Sequence, residues 1–402
     1  MRIPFSAFVT LTVVGVSSLV GLTANPAHAA CQREVQPGAQ ISDTPWHLQL
    51  WNLSTLPPGV TGKGIRVAVL DSGVDPNHPQ LQGKVVANID KLHGVATPED
   101  CNGHGTGVAG LIAASIRNNV PFRGLAPGAQ ILAARVSEQA QGNEDNTPPV
   151  PITEMAATVD WAVENGAKVI NMSFVYTNKS EGTLAPFKEA VTRAIDKGVV
   201  VVAAAGNLND KGNPTPYPAA WPGVVGVAAI GANGFQKLPQ SQIGTYVDIA
   251  APGVEVWAPR PGSGFAPENG TSFAAPMVAA TAALIFDRFK DDNITGQQVV
   301  KRLLATADPS PGGRASTSYG VGIVNPIRAV TDIVDDVKPQ PAKALRGQEV
   351  DEATLRAEKI AAERRQQSLW VAGIVGVGVI LATVLMTALP VGIRRRWRPA
   401  GK

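Results

Sequence analysis

Three short polar segments contain residue types that suit acyl-transfer chemistry. Asp71 follows an apolar run, His104 lies among glycines at 103–107, and Ser272 follows a Gly-Thr pair at 270–271. A serine hydroxyl becomes a good nucleophile only when a base takes its proton, and that base needs a third group to fix its tautomer and stabilise its charged form. The segments therefore predict Ser272 as the nucleophile, His104 as the general base and Asp71 as the orienting carboxylate.

Asn207 supplies a fourth group that this chemistry requires. It follows another apolar run, and its side-chain amide can donate a hydrogen bond to an oxyanion, with the backbone N–H of Ser272 as the second donor. Each segment alone also fits an ordinary helix cap, loop or turn, so the prediction depends on finding all of them in one chain. The other histidines, His28, His47, His78 and His93, lack the glycine surroundings of His104.

The elements that must position these residues alternate along residues 60–335. Apolar runs rich in valine and isoleucine predict strands at 66–70, 131–136, 169–172, 199–204 and 224–229. Helical patterns predict helices at 105–117, 152–165, 184–197, 272–289 and 295–305. Strands that are apolar on both sides are typical of a parallel sheet covered by helices. The sequence therefore predicts one α/β domain, with the polar residues at the carboxyl ends of its strands.

The order of Asp71, His104, Asn207 and Ser272, with the residues around them, resembles the subtilisin family of serine proteases. The resemblance spans most of residues 60–335 and includes shorter similar segments at 124–129, 217–220 and 251–253. It implies a three-layer α/β sandwich with a mostly parallel central sheet, Asn207 in the oxyanion hole, and protein or peptide substrates. The chain departs from the family at Gly107, where a second histidine is usual.

A second departure follows Ser173, where the family usually continues with leucine and glycines. This chain has Phe174, Val175 and Tyr176 instead. The resemblance implies that Ser173 and Phe174 contact substrate, but the change means that the family's specificity does not transfer. The polar segment at 138–151 predicts an exposed loop, which either borders a substrate path or is a neutral surface insertion.

Both ends of the chain have the composition of membrane-targeting segments. Residues 1–30 combine Arg2, an apolar stretch and small residues at 29–30, which predicts a cleaved signal peptide; an uncleaved anchor and a lipid-modified Cys31 are the alternatives. Residues 369–389 contain no charged residue and are long enough to span a bilayer, which takes about 20 residues. A buried core helix is the alternative reading of this segment.

The charges around the predicted span indicate its orientation. Four arginines lie in the tail at 390–402, and lysine and arginine favour the cytoplasmic side, so the tail is expected inside and the domain outside the cell membrane. The predicted organisation is then a leader (1–30), an N-terminal extension (31–59), a catalytic domain (60–335), a charged stalk (336–368), a span (369–389) and a basic tail (390–402). The tail acts as a topology signal, so no nucleic-acid binding is predicted.

Cys31 and Cys101 are the two cysteines of the chain. Export to an oxidising compartment predicts a disulfide between them, with two free thiols as the alternative. No cluster of histidine and cysteine at ligand spacing occurs, so neither a catalytic metal nor another cofactor is predicted, and a structural calcium ion stays open.

The succession of leader, short extension, subtilisin-like domain, stalk, span and basic tail resembles the mycosins, the membrane-bound subtilases of actinobacterial type VII secretion. This resemblance implies an envelope protease that acts beside a type VII secretion membrane complex. The alternative hypothesis is a mainly structural subunit of that complex with slow or dispensable proteolysis.

Overall fold

The computed structural model of the chain describes residues 35–94, 99–137, 150–311, 313 and 315–334. These residues belong to one compact unit that ends at Val334. Within them, no helix combines the length and the apolar character that crossing a membrane requires. The predicted leader, stalk, span and tail lie outside the described residues, and so does Cys31.

Seven parallel strands form the centre of the domain. Across the sheet they lie in the order β2-β3-β1-β4-β5-β6-β7, and every pair of neighbours is parallel. In chain order they are β1 (Arg66–Asp71), β2 (Val85–Asp90), β3 (Gln130–Arg135), β4 (Ala167–Met172), β5 (Val200–Ala204), β6 (Val225–Ile230) and β7 (Ile249–Pro252). The five predicted strands are confirmed, and β2 and β7 were not predicted.

Helices cover both faces of this sheet. They are α1 (Trp46–Gln49), α2 (His104–Ala113), α3 (Ile152–Glu164), α4 (Glu181–Asp196), α5 (Thr271–Arg288), α6 (Gly296–Ala305) and α7 (Pro326–Thr331). The core on one face contains residues of α2, α5, α6 and α7, and the core on the other face contains residues of α3 and α4. In β1, Val67 and Val69 face the first core while Ala68 and Leu70 face the second. This arrangement confirms the predicted sandwich.

A small antiparallel hairpin leads into α5. It consists of β8 (Val256–Pro259) and β9 (Phe265–Glu268). The predicted N-terminal extension packs against the same part of the molecule, because Ala39 pairs with Phe265 and the side chain of Trp51 joins the core around α2 and α5. The described part of the extension is therefore continuous with the core that carries α5.

The carboxyl ends of three adjacent strands meet at one edge of the sheet. β1 ends at Asp71, β4 is followed by Ser173, and β5 is followed within a few residues by Asn207. Because β1, β4 and β5 are neighbours, these polar residues lie together, as expected at the carboxyl edge of an α/β sheet. α2 and α5 begin at this same edge with His104 and Thr271.

Candidate active site

Asp71 and His104 form a buried pair at the carboxyl edge of the sheet. His104 Nδ1 lies 2.7 Å from Asp71 Oδ1, which also accepts a 2.7 Å hydrogen bond from the backbone N–H of Ser72. The close approach of α2 to β1 requires a glycine at position 105, since a Cβ there would lie 2.0 Å from the carbonyl oxygen of Gly73 and 3.2 Å from Asp71 Oδ1. The glycines around His104 therefore let its ring reach the carboxylate.

The electrostatic surroundings of His104 favour its protonated form. Burial alone would lower the pKa of the imidazole, but the nearby carboxylates of Asp71, Glu268 and Asp100 outweigh it, and the pKa is raised above the ordinary histidine value. His104 Nε2 is buried and makes no hydrogen bond with the described residues. This nitrogen is the free acceptor that a general base needs.

Ser272 lies in the first turn of α5, and the residue after it contacts His104. The ring of its neighbour Phe273 packs against the His104 ring with 4.9 Å between the ring centroids. Ser272 is 2 % exposed, and its carbonyl oxygen accepts a 2.8 Å hydrogen bond from Ser173 Oγ. The hydrogen bond from Ser272 Oγ to His104 Nε2 is not formed here, and such bonds often tighten only when substrate binds.

The Asn207 amide is held in one orientation beside Ser272. Its Oδ1 accepts hydrogen bonds from Thr271, at 3.0 Å from the backbone N–H and 3.2 Å from Oγ1. These bonds leave the amide nitrogen facing Gly270. A Cβ on Gly270 would lie 3.1 Å from Asn207 Nδ2 and 3.2 Å from Ser272 Oγ. The missing side chain of Gly270 leaves room between a hydroxyl and an N–H donor, as an oxyanion hole requires.

This geometry agrees with comparisons against known proteins. The model of the subtilase family matches residues 62–322. The chain belongs to the subtilase family. Thermitase from Thermoactinomyces vulgaris is 37% identical over 283 residues, which is 70% of this chain and 92% of thermitase. The protein is thus a subtilisin-like serine endopeptidase by descent.

Solved structures of type VII secretion proteases have a similar fold. The structure of the MycP3 protease from the type VII (ESX-3) secretion system is 29% identical, with a TM-score of 0.61, covering 74% of this chain and 92% of MycP3. MycP1, a serine protease described as an essential component of the type VII (ESX-1) secretion system, is 30% identical with a TM-score of 0.61 and coverages of 75% and 93%. The suspected similarity to mycosins is confirmed.

The two residues predicted to contact substrate face in opposite directions in this subtilase. Ser173 faces Ser272, to which it donates the hydrogen bond given above. The Phe174 side chain is buried with Tyr176 and Phe187 on the other side, at ring-centroid distances of 5.9 Å and 6.4 Å. A substrate contact at Phe174 stays a prediction, and with this orientation it concerns the backbone.

The remaining histidines of the described region lie outside this arrangement. His47 is fully buried with neither ring nitrogen hydrogen-bonded, and burial lowers its pKa to about 3. His78 packs its ring against Phe265, and His93 Nδ1 lies 3.0 Å from Asp90 Oδ2. The pairing of Asp71 with His104 supports the choice of His104 as the base.

Sequence reasoning missed two acidic residues near His104. Glu268, in β9, lies close enough to raise the pKa of His104 and pairs with Arg260 at 3.3 Å. The Arg260 guanidinium packs against Gly103, where a Cβ would lie 3.1 Å from its central carbon. Asp100 is buried beside the turn that carries His104. No local sequence pattern marks either acid, because each depends on contacts made in three dimensions.

The other predicted features of the site have a mixed outcome. Cys101 is not a free thiol, as the predicted pairing requires, but Cys31 lies outside the described residues and the pairing stays a prediction. In the described part of the chain, no group of three or more histidine, cysteine or acidic side chains is arranged to hold a metal. Most of the predicted loop, 138–149, also lies outside the described residues.

Proposed function

We propose that this subtilase cleaves peptide bonds through an acyl-enzyme on Ser272. Ser272 Oγ attacks the peptide carbonyl carbon and its proton passes to His104 Nε2, while the Asp71 carboxylate stabilises the resulting imidazolium through Nδ1. The negative oxygen of the tetrahedral intermediate accepts hydrogen bonds from Asn207 Nδ2 and the Ser272 backbone N–H. His104 then gives the proton to the leaving amine, and water repeats the sequence to release the acid.

The 2.7 Å contact between His104 Nδ1 and Asp71 Oδ1 is the observation that carries this proposal. It fixes the imidazole in the tautomer whose Nε2 can accept a proton, and Nε2 is the ring nitrogen without a partner. The Asn207 amide and the Ser272 hydroxyl lie where α5 begins, on the same edge of the sheet as Asp71 and His104. A carboxylate paired with histidine for structure alone would not need these additional groups.

The test compares single variants of the full chain on a general protein substrate and on a peptide library. Ser272→Ala and His104→Ala are expected to abolish cleavage, whereas Ser54→Ala, at an exposed serine in the N-terminal extension, leaves it unchanged. Cleavage by Ser272→Ala at the wild-type rate would refute the nucleophile. The products of the wild-type enzyme also give its cleavage preference.

We also propose that the enzyme is anchored in the cell membrane by residues 369–389, with its catalytic domain on the extracytoplasmic side and the basic tail in the cytoplasm. The uncharged length of this segment and the arginines that follow it support the proposal. Deleting residues 369–402 should move the protein from the membrane fraction to the medium. Retention of the truncated chain in the membrane fraction would refute this anchor.

The final part of the proposal is attachment to a type VII secretion complex. Similarity to MycP1 and MycP3, each a protein of such a system, supports it. The description of MycP1 as a component of its secretion system also allows a second candidate, in which the chain is mainly a structural subunit. Secretion by cells that carry only Ser272→Ala separates the two, because wild-type secretion indicates a scaffold and lost secretion indicates a required protease.

A further inference from the structure

Asp100 is a buried carboxylate to which the proposed mechanism gives no role. It lies four residues before His104 and is 4 % exposed. Its Oδ1 accepts hydrogen bonds from Ser72 Oγ at 2.8 Å and from the backbone N–H groups of Asn102 and Gly103 at 3.1 Å and 2.7 Å. Its Oδ2 accepts from Thr106, at 2.8 Å from the backbone N–H and 2.6 Å from Oγ1. Five donors therefore converge on one side chain.

These donors come from both segments that carry the catalytic pair. Ser72 directly follows Asp71, while Gly103 and Thr106 lie on either side of His104. A second connection runs through the same hydroxyl, since Ser72 Oγ also accepts a 2.9 Å hydrogen bond from the backbone N–H of Gly105. Asp100 and Ser72 thus join the end of β1 to the first turn of α2, next to the contact between Asp71 and His104.

The hydrogen bonds favour a charged Asp100. Burial raises the pKa of this carboxyl group above the ordinary aspartate value, and the donors from Thr106, Gly103 and Ser72 limit that rise. Both hydroxyls already accept a backbone N–H, Ser72 from Gly105 and Thr106 from Asp75, so their protons are free to point at Asp100. A carboxylate satisfies all five donors, whereas a carboxylic acid would add a sixth proton to the same small space.

We propose that Asp100 is a positioning residue for the catalytic pair: it holds the segment of Asp71 and the turn of His104 in fixed register, and its charge supports the imidazolium that forms during the reaction. This inference rests on the proposed function of His104. Asp100 acts through the backbone and through electrostatics, and it does not touch the substrate. The same residue would therefore set both the orientation and the basicity of the base.

The test uses Asp100→Asn, which keeps the size of the side chain and removes its charge. In either orientation of the amide, its NH₂ group faces a backbone N–H, of Asn102 and Gly103 or of Thr106. Two donors repel each other there, so the backbone around His104 must shift. A displacement of this kind costs on the order of 100-fold in rate. We expect kcat to fall by that order with little change in KM, and the acidic limb of the pH profile to move to lower pH.

Asp287→Asn is the matched control. Asp287 is equally buried, and its Oδ2 accepts three backbone N–H hydrogen bonds, from Thr61, Gly62 and Lys63, near the far end of α5. The Asp287→Asn variant should lose stability, as Asp100→Asn does, but it should keep the wild-type kcat and pH profile. If Asp100→Asn does not fold, Thr106→Val removes one of the five donors and should change kcat and the pH profile in the same direction by less.

A measurement independent of turnover separates failure of this inference from failure of the proposed function. The His104 ring is titrated by NMR in full-length Ser272→Ala protein, with its signal assigned by loss in His104→Ala. The pKa of His104 should fall when Asp100→Asn is added and stay unchanged when Asp287→Asn is added. An unchanged His104 pKa in folded Asp100→Asn protein would overturn the inference, even if the wild-type enzyme proved inactive. A kcat within about twofold of wild type would overturn it equally.

Discussion

Replacing Gly270 by alanine tests the oxyanion hole by filling it. The backbone of Gly270 has φ 137° and ψ 162°, a region that residues with a side chain rarely adopt. A Cβ at this position would lie 3.1 Å from Asn207 Nδ2 and 3.2 Å from Ser272 Oγ. An oxyanion must itself lie about 2.7–3.1 Å from its donor. The added methyl group and the carbonyl oxygen of the substrate would therefore occupy the same space.

Gly270→Ala should affect both the stability of the protein and its kcat. Backbone strain at position 270 should lower the free energy of unfolding by about 1–3 kcal/mol. Loss of one oxyanion donor costs about 10²–10³ in kcat, and the methyl group interferes with access to the donor as well as with the attacking hydroxyl, so kcat should fall by at least that range. Strain should therefore appear as a loss of stability, and the blocked donor as a loss of kcat.

Gly59→Ala separates these two effects. Gly59 has φ +83° and no heavy atom within 4 Å of the position of an added Cβ, so it is strained by substitution without being crowded. Thermal unfolding should show a loss of stability in both variants, and initial rates on a peptide substrate should fall only in Gly270→Ala. If Gly270→Ala kept more than about a tenth of the wild-type kcat, the assignment of the space between Asn207 and Ser272 to the oxyanion would be wrong.

Three further predictions concern charge and hydrogen bonding. Asn207→Ala should lower kcat by about 10²–10³ with little change in KM, measured by steady-state kinetics, and an effect confined to KM would contradict its role as oxyanion donor. The pKa of His104 is raised and the base must be neutral, so activity should be lost on acidification at a pH above the pKa of an ordinary histidine. Glu268→Gln should move this loss to lower pH. A pH profile unchanged by that substitution would argue against the influence of Glu268. Burial raises the pKa of Asp248 to about 7, so the folded state binds the proton more tightly than the unfolded state. Stability should therefore fall as the pH rises from the ordinary aspartate range to about 7. In calorimetry, Asp248→Asn should lose less stability than the wild type over that interval, and equal pH dependence of the two proteins would contradict this.

The sequence predicted the central elements because their residues carry strong local signals. β1 and β5 are apolar on both faces, with Asp71 at the end of β1 and Asn207 three residues after β5, and α5 begins at a Gly-Thr pair. β2 was missed because most of its residues are only partly buried at an edge of the sheet. β7 has four residues and ends in a proline, which is too short a pattern to indicate a strand.

The predicted helix after His104 extends to 117, whereas α2 ends at Ala113. Ala114 takes an extended conformation with ψ 128°, and the chain then forms a bridge between Arg117 and Val120. Ile116, within the predicted helix, is 61% exposed. Helix ends of this kind depend on tertiary contacts, since the N–H groups of Gly124 and Leu125 bond to carbonyl groups of Ala114 and Leu111.

In the candidate site, too, the residues with a local sequence signal could be predicted, and those defined by tertiary contacts could not. Asp71, His104, Asn207 and Ser272 could be proposed because each has a chemical role that its residue type and local setting suggest. Asp100 could not be proposed, because its partners Ser72 and Thr106 are ordinary residues until the fold brings them together. The opposite orientations of Ser173 and Phe174 follow from the alternation of side chains along a strand, but the local sequence does not show which of the two faces Ser272.

Covalent labelling of the active serine tests the central claim most directly. Full-length protein is treated with a fluorophosphonate, and intact mass and peptide mass spectra locate the adduct. The catalytic role of Ser272 predicts a single adduct on this residue, absent in Ser272→Ala and strongly slowed in His104→Ala, with labelling that falls as His104 becomes protonated. A folded wild-type protein that gains no adduct, or an adduct that persists in Ser272→Ala, would contradict it.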